Sequence, residues 1–252
     1  MIPLHDENPT RITPYVTWAL LAANVLVYLL QATGGMRGTD FGLAGWMAGW
    51  TMVPVEVTQG VDVRTNGPSL QPFWLTLFTS MFMHGGLAHI FGNMVFLVVF
   101  GNNIEDALGH VKFLVFYLVC GLLAAFTQIF FGPNSVVPML GASGAIAGVL
   151  GAYLLLFPHA RVNTLVIFGL ITVVRIPALF LLGFWIVSQF FSQITGSLAT
   201  PEGRETGGVA YWAHIGGFVA GLVLVKLFGA NPTTRLPDHE QYAPRRGGGF
   251  RF

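Results

Sequence analysis

The chain has 252 residues, 54% hydrophobic and 9% charged, with a net charge of +1 and a mean hydropathy of +0.66. An ordinary soluble domain is about 25% charged, so this composition excludes a water-covered globule and calls for lipid around several apolar segments of about 20 residues. The near-neutral balance carries no nucleic-acid footprint, and a single cysteine, Cys120, excludes an internal disulfide framework or a CxxC metal site.

In chain order, residues 1–14 form a short N-terminal segment. The first apolar segment runs from Tyr15 to Ala32; Asp6 and Glu7 precede it in place of a basic cluster, so it reads as a permanent span and not a signal peptide. A long loop rich in Gly and Trp follows, Thr33 to Thr79, whose Trp46, Trp50 and Trp74 suit the headgroup zone. The second segment covers Leu87 to Gly101 and extends to Ile104; the third covers Phe113 to Phe131, with Cys120 as a small core residue; the fourth covers Gly141 to Phe157. Thr164 to Val174 is apolar but only 11 residues long, bracketed by Arg161 and Arg175. It is too short to span as a helix, and reads as an interfacial connection or the lead-in to the fifth segment, Pro177 to Ile194. The sixth runs from Val209 to Phe228, and Asn231 to Phe252 has the Pro, Gly and charge content of a disordered tail. The expected architecture is an all-α polytopic membrane protein: a six-helix bundle over residues 15–229 with a flexible cytoplasmic tail, 230–252.

Lysine and arginine placement sets the orientation. Six spans put both termini on one side, which collects Arg11, Lys112, Arg161, Arg175, Lys226, Arg235, Arg245, Arg246 and Arg251; the other side has Arg37, Arg64 and Arg204. Both termini are therefore expected in the cytoplasm, and the expected setting is a bacterial or archaeal cell membrane.

Polar groups inside a bilayer are costly and mark function or a paired site. Segment two carries His89 and Asn93, with His84 just before it; segment four carries Ser143; segment six carries His214. Segments two, four and six all run inward, so Ser143, His214, His89 and Asn93 fall at similar depth in the outer half of the membrane. The i, i+4 spacing puts His89 and Asn93 on one helix face. Gly141, Gly144, Gly148 and Gly151 stripe segment four, and Ala213, Gly217 and Gly221 form a small-residue row on segment six, so the two backbones are expected to approach closely.

A serine in a membrane helix is ordinarily a packing residue, and His84 alone reads equally well as an interfacial side chain. Their conjunction with His214 points to chemistry instead. Serine becomes a nucleophile when a neighbouring base takes its proton, and imidazole exchanges protons near neutral pH. The oxyanion formed on attack needs donors, which Asn93, His89 and backbone N–H groups near Ser143 supply. With no carboxylate placed to orient the histidine, a Ser-His dyad is expected and not a Ser-His-Asp triad.

"HGGLAHIFGN", "GASGAIAG" and "AHIGGFVAGL" resemble, in order, the three signature motifs of the rhomboid intramembrane serine proteases, HxxxxHxxxN, GxSG and AHxxGxxxG. The resemblance spans Tyr15 to Phe228. It implies Ser143 as nucleophile, His214 as general base, and Asn93, His89 and the Ser143 N–H as the oxyanion hole. It further implies supporting roles for Gly141, Gly144 and Gly217, and places His84 near a water-accessible mouth. Substrates would be transmembrane proteins cleaved near the outer membrane face, at small or helix-breaking residues, with no metal or cofactor. The fifth segment and the loop Gly196 to Gly208 would correspond to a substrate gate and cap. Two departures stand out. Trp74 is followed by Leu75 where many members have Trp-Arg, and Ala147 stands where some members stack a tyrosine on the base. Positioning of His214 must then rest on other neighbours. A catalytically inactive relative that binds membrane proteins is the alternative in the same family. A proton-relay transporter lacks its acidic partners here. A zinc protease lacks HExxH, since "HEQYA" in the tail is the only His-Glu, and an aspartyl protease lacks membrane aspartates.

Overall fold

The computed structural model describes residues 1–35, 49–63, 69–168, 170–199 and 210–231. Trp46, Arg37, Arg64 and Arg204, much of the loop from Gly196 to Gly208, and the tail beyond Asn231 lie outside the described residues. The chain opens with strand β1 (Ile2–Asp6), then helix α1 (Tyr15–Gly35). The first loop contributes two short helices, α2 (Pro54–Gln59) and α3 (Thr76–Thr79). Its Met52, Leu77 and the α5 residue Ala125 share a small apolar cluster, which holds the described part of the loop against the bundle. Trp50 and Trp74 are exposed.

Helices α4 (Leu87–Leu108), α5 (His110–Phe131) and α6 (Ser143–Leu156) follow, then strands β2 (Arg161–Phe168) and β3 (Leu170–Pro177), and helices α7 (Ala178–Ala199) and α8 (Tyr211–Leu227). Helices α1, α4, α5 and α7 are long and apolar enough to cross a membrane. At 1.5 Å per residue, α6 with 14 residues and α8 with 17 reach about 21 and 26 Å, short of a hydrocarbon core of about 30 Å.

The protein is mostly helical but not all-α. Strands β1, β2 and β3 form an antiparallel sheet in that order, with Asp6 opposite Val162 and Ile2 opposite Leu165. The stretch expected as a connection between segments four and five is the β2–β3 hairpin. Its cause is local: Val162, Thr164, Val166, Ile167, Ile171, Thr172, Val173, Val174 and Ile176 are β-branched, and such side chains favour the pleated backbone. The N-terminal strand adds to its edge, so part of the short N-terminal segment belongs to the sheet.

Packing at this end is polar and specific. Glu105, fully buried at the end of α4, accepts hydrogen bonds from the Val16 and Thr17 N–H groups and the Thr17 hydroxyl, at 2.7–2.9 Å, and contacts His110 Nδ1 at 2.6 Å. The first N–H groups of a helix lack partners of their own, and a carboxylate from α4 caps α1 in place of a local residue. Next to it, Arg11 pairs with Asp106, and Lys112 donates to the Phe228 carbonyl. Arg161 and Arg175 face Pro177 and Asn163 across the hairpin, and Lys226 lies in the last turn of α8. All five lysines and arginines among the described residues thus gather at one end of the bundle.

The core belongs to α6, which α4, α5, α7 and α8 surround. Its stripe of small residues allows a close approach to α8. A Cβ on Gly217 would fall on the Gly144 carbonyl, one on Gly221 on the Gly148 carbonyl, and one on Gly151 on the Phe218 carbonyl. The backbones of α6 and α8 are in van der Waals contact over two turns, which only glycine permits. Cys120 packs against Gly148 and is fully buried.

Candidate active site

Ser143 is the first residue of α6, and His214 is the fourth of α8, one turn in. The glycine contacts between the two helices bring these positions together, and Ser143 Oγ lies 2.8 Å from His214 Nε2. Because Ser143 opens its helix, its N–H and those of the next residues lack intrahelical acceptors and sit at the positive end of the helix dipole.

Gly141 precedes α6 and so does not belong to the helical stripe that includes Gly144, Gly148 and Gly151. It has φ +123, a conformation that L side chains rarely adopt, and its N–H donates to the Ser80 carbonyl. A Cβ there would meet His89 Nε2 at 2.8 Å and Ser143 Oγ at 3.6 Å. The residue is therefore a spacer between the His89 ring and the serine, and any side chain would close the gap.

The Gly85 N–H points at His89 Nδ1 at 3.5 Å, an orientation that leaves the Nε2 side of the ring toward Gly141. Asn93, one turn further along α4, is buried, and its amide nitrogen has no hydrogen-bond partner among the described residues. Buried donors are nearly always paired, so an orphaned amide at this place is a donor held ready. His84 packs edge-on against His89, with ring centroids 5.2 Å apart. It is not at a water-accessible mouth: it is 2% exposed and lies behind His89. Its backbone is clamped to α1, its N–H donating to Gln31 Oε1 and its carbonyl accepting from Gln31 Nε2.

Ser143, His214, His89 and Asn93 line one cavity of about 850 Å³, walled by residues from α4, α5, α6, α7 and the segment before α6. Its lining is mainly apolar with a few polar groups, the character of a ligand-binding site. Where the motif resemblance left a gap at Ala147, the structure supplies two neighbours from α7. The Trp185 ring lies 5.7 Å from the His214 ring, and Gln189 Oε1 is 2.7 Å from His214 Nδ1. Gln189 was not singled out from sequence. The available signal was a glutamine in the middle of an otherwise apolar span, in "FWIVSQFF", and such a residue in lipid needs a partner. Among the described residues, no group of three or more His, Cys, Asp or Glu has the arrangement of a metal site.

The chain is similar to known proteins. The Rhomboid protease GluP of Bacillus subtilis is 31% identical over 142 residues, 56% of this chain and 24% of that protein. Rhomboid protein 1, mitochondrial, of Saccharomyces cerevisiae is 29% identical over 153 residues, 59% of this chain and 40% of the relative. Rhomboid-like protein 11, chloroplastic, of Arabidopsis thaliana is 25% identical over 168 residues, 66% of this chain and 56% of the relative. The chain thus spans from about a quarter to just over half the length of these relatives. Residues 71–231, well over half of the chain, match the Rhomboid domain, and the chain is a multi-pass membrane protein of the rhomboid family.

Proposed function

We propose that the chain is an intramembrane serine endopeptidase that hydrolyses a peptide bond in or near the transmembrane segment of membrane-protein substrates. The observation that carries the reading is the 2.8 Å contact between Ser143 Oγ and His214 Nε2, at the wall of an apolar cavity in a rhomboid chain. Ser143 Oγ attacks the scissile carbonyl carbon while its proton passes to His214 Nε2. The tetrahedral oxyanion is held by the Ser143 N–H, the Asn93 amide and His89 Nε2–H, in the field of the α6 N-terminus. The imidazolium then gives its proton to the leaving amine. A water, deprotonated by the same nitrogen, hydrolyses the acyl-enzyme and frees the serine.

Six helices span the membrane in this reading. The short α6 and α8 begin below its outer face, which sinks the dyad into the bilayer while the cavity keeps it accessible to water. The cations gathered at the opposite end put that end, with both termini, on the cytoplasmic side. The relatives belong to a bacterium, to mitochondria and to a chloroplast, so the expectation of a bacterial or archaeal membrane is not singled out. Partners are transmembrane substrates and the bilayer itself.

The test is cleavage of a reconstituted transmembrane substrate together with labelling by a fluorophosphonate probe. Ser143→Ala and His214→Ala should each abolish cleavage, and labelling should vanish in Ser143→Ala. A Ser143→Ala variant that cleaved at the wild-type rate would overturn the mechanism. A folded wild-type chain that neither labels nor cleaves would favour an inactive membrane-protein binder.

A further inference from the structure

We propose that Gln189 on α7 is a positioning residue that holds His214 in the one tautomer able to accept the Ser143 proton, so that the dyad works as a Ser-His-Gln chain. The inference rests on the protease reading for its catalytic meaning and on geometry for its substance. A glutamine amide is ambiguous until its surroundings orient it. Here Gln189 Nε2 is 3.1 Å from Ser188 Oγ and 3.4 Å from the Trp185 carbonyl. The Ser188 hydroxyl already donates to that same carbonyl at 2.6 Å, leaving its lone pairs free to accept from the amide nitrogen. The amide nitrogen is thus committed to its own helix, and Oε1 is the atom that faces His214.

An oxygen acceptor 2.7 Å from Nδ1 requires the proton on Nδ1. Nε2 then presents a lone pair to Ser143 Oγ at 2.8 Å, the arrangement that general-base catalysis needs. In the other tautomer Nε2–H would donate to the serine, and two acceptor atoms would face each other across 2.7 Å. A carboxylate in this place orients the base in soluble serine proteases; the neutral amide supplies the same acceptor without burying a charge in the bilayer. Trp185, four residues earlier and on the same helix face, packs beside the imidazole. The two residues together occupy the role that Ala147 leaves open. Because both come from α7, the base is correctly set only when α7 is seated against α8.

The groups facing His214 from the other helices are His89 on α4, Ser143 on α6 and, on its own helix, Tyr211. Gln128 on α5 is engaged by the Ala213 N–H. No carboxylate competes for Nδ1 among these neighbours.

The direct measurement is the tautomer itself. In full-length protein with ¹⁵N-labelled histidine, His214 should show Nδ1 protonated and Nε2 bare in the wild type, and a mixture in Gln189→Met, which keeps the volume and removes the acceptor. Gln189→Met should lower kcat and the fluorophosphonate labelling rate in parallel, roughly 10- to 100-fold, with KM for the transmembrane substrate unchanged. Gln189→Glu retains the oxygen and should restore most of the rate. Its carboxylate also favours the imidazolium, so the acidic limb of the kcat profile should move to higher pH. Wild-type labelling by a folded Gln189→Met, a loss that Gln189→Glu fails to rescue, or a wild-type spectrum with the proton on Nε2 would each overturn the proposal. A fixed Nδ1–H tautomer in a wild-type chain that does not label would instead refute the protease reading and leave the positioning contact standing.

Discussion

Replacing Gly217 by alanine adds one methyl group, and the geometry dictates where its effect must appear. The new Cβ would fall on the Gly144 carbonyl oxygen, with the Ala124 Cβ 3.4 Å away. A flexible side chain yields to such a contact; a carbonyl inside a helix does not. Helix α8 must retreat by about 1 Å to restore ordinary van der Waals separation. Gly217 lies three residues after His214 on the same helical face, so the retreat carries the imidazole with it. Starting from 2.8 Å, the distance from Ser143 Oγ to His214 Nε2 would open to about 3.8 Å, beyond hydrogen-bond range. Misplacement of about 1 Å in a reacting geometry costs on the order of 10²-fold in rate. Overpacking costs about 1–3 kcal/mol of stability, partly offset by the higher helix preference of alanine, about 0.5–1 kcal/mol. Activity is therefore the sharper readout. The assay pairs the fluorophosphonate labelling rate and substrate turnover with thermal unfolding in the same detergent. Gly183→Ala is the control, since a Cβ there meets nothing within 4 Å. A folded Gly217→Ala protein with the wild-type labelling rate would refute the claim that helix proximity sets the dyad distance.

Three further outcomes can be measured. Asn93→Ala removes the orphaned donor and should lower kcat about 10²- to 10³-fold while leaving measurable cleavage and an unchanged KM; a wild-type kcat would remove Asn93 from the oxyanion hole. Glu105→Ala strips the cap from α1 and leaves its N–H donors buried, which should destabilise the protein by about 3–5 kcal/mol in thermal or denaturant unfolding. At permissive temperature its labelling rate should stay near that of the wild type. Asp6 is raised to about 6 from 3.8, chiefly by burial, although the Tyr153 hydroxyl donates to it at 2.6 Å. A carboxyl whose folded value is raised contributes stability that is complete below about pH 3.8 and is lost as pH rises through 6. The difference of 6 minus 3.8, about 2.2 units, corresponds to roughly 3 kcal/mol. Wild-type stability should thus fall between pH 4 and 7 relative to Asp6→Asn, and parallel profiles for the two proteins would contradict the assignment.

Much of this protein is determined by local sequence, because bilayer chemistry is local. A run of apolar residues commits the backbone to a helix, a histidine four residues before an asparagine shares its face, and glycines every three or four residues clear one side of α6 and of α8 for close approach. Ser143, His214, His89 and Asn93 were therefore legible as a set before any coordinates. What the tertiary structure decided lies between segments that no short-range pattern connects. The β2–β3 hairpin looked like an apolar connection because alternating β-branched residues and a short helix share the same composition, and only pairing with β1 from the far N-terminus completes its sheet. Glu105 stands just past the second apolar segment, and nothing near it in sequence tells that it caps a helix that begins 90 residues earlier. Gln189 is the clearest case. Its sequence context is an ordinary lipid-facing helix, and its partner is 25 positions away on another element. The proposed nucleophile and base are marked by the residues that flank them, whereas the residue proposed to orient the base is defined by which helix packs behind it.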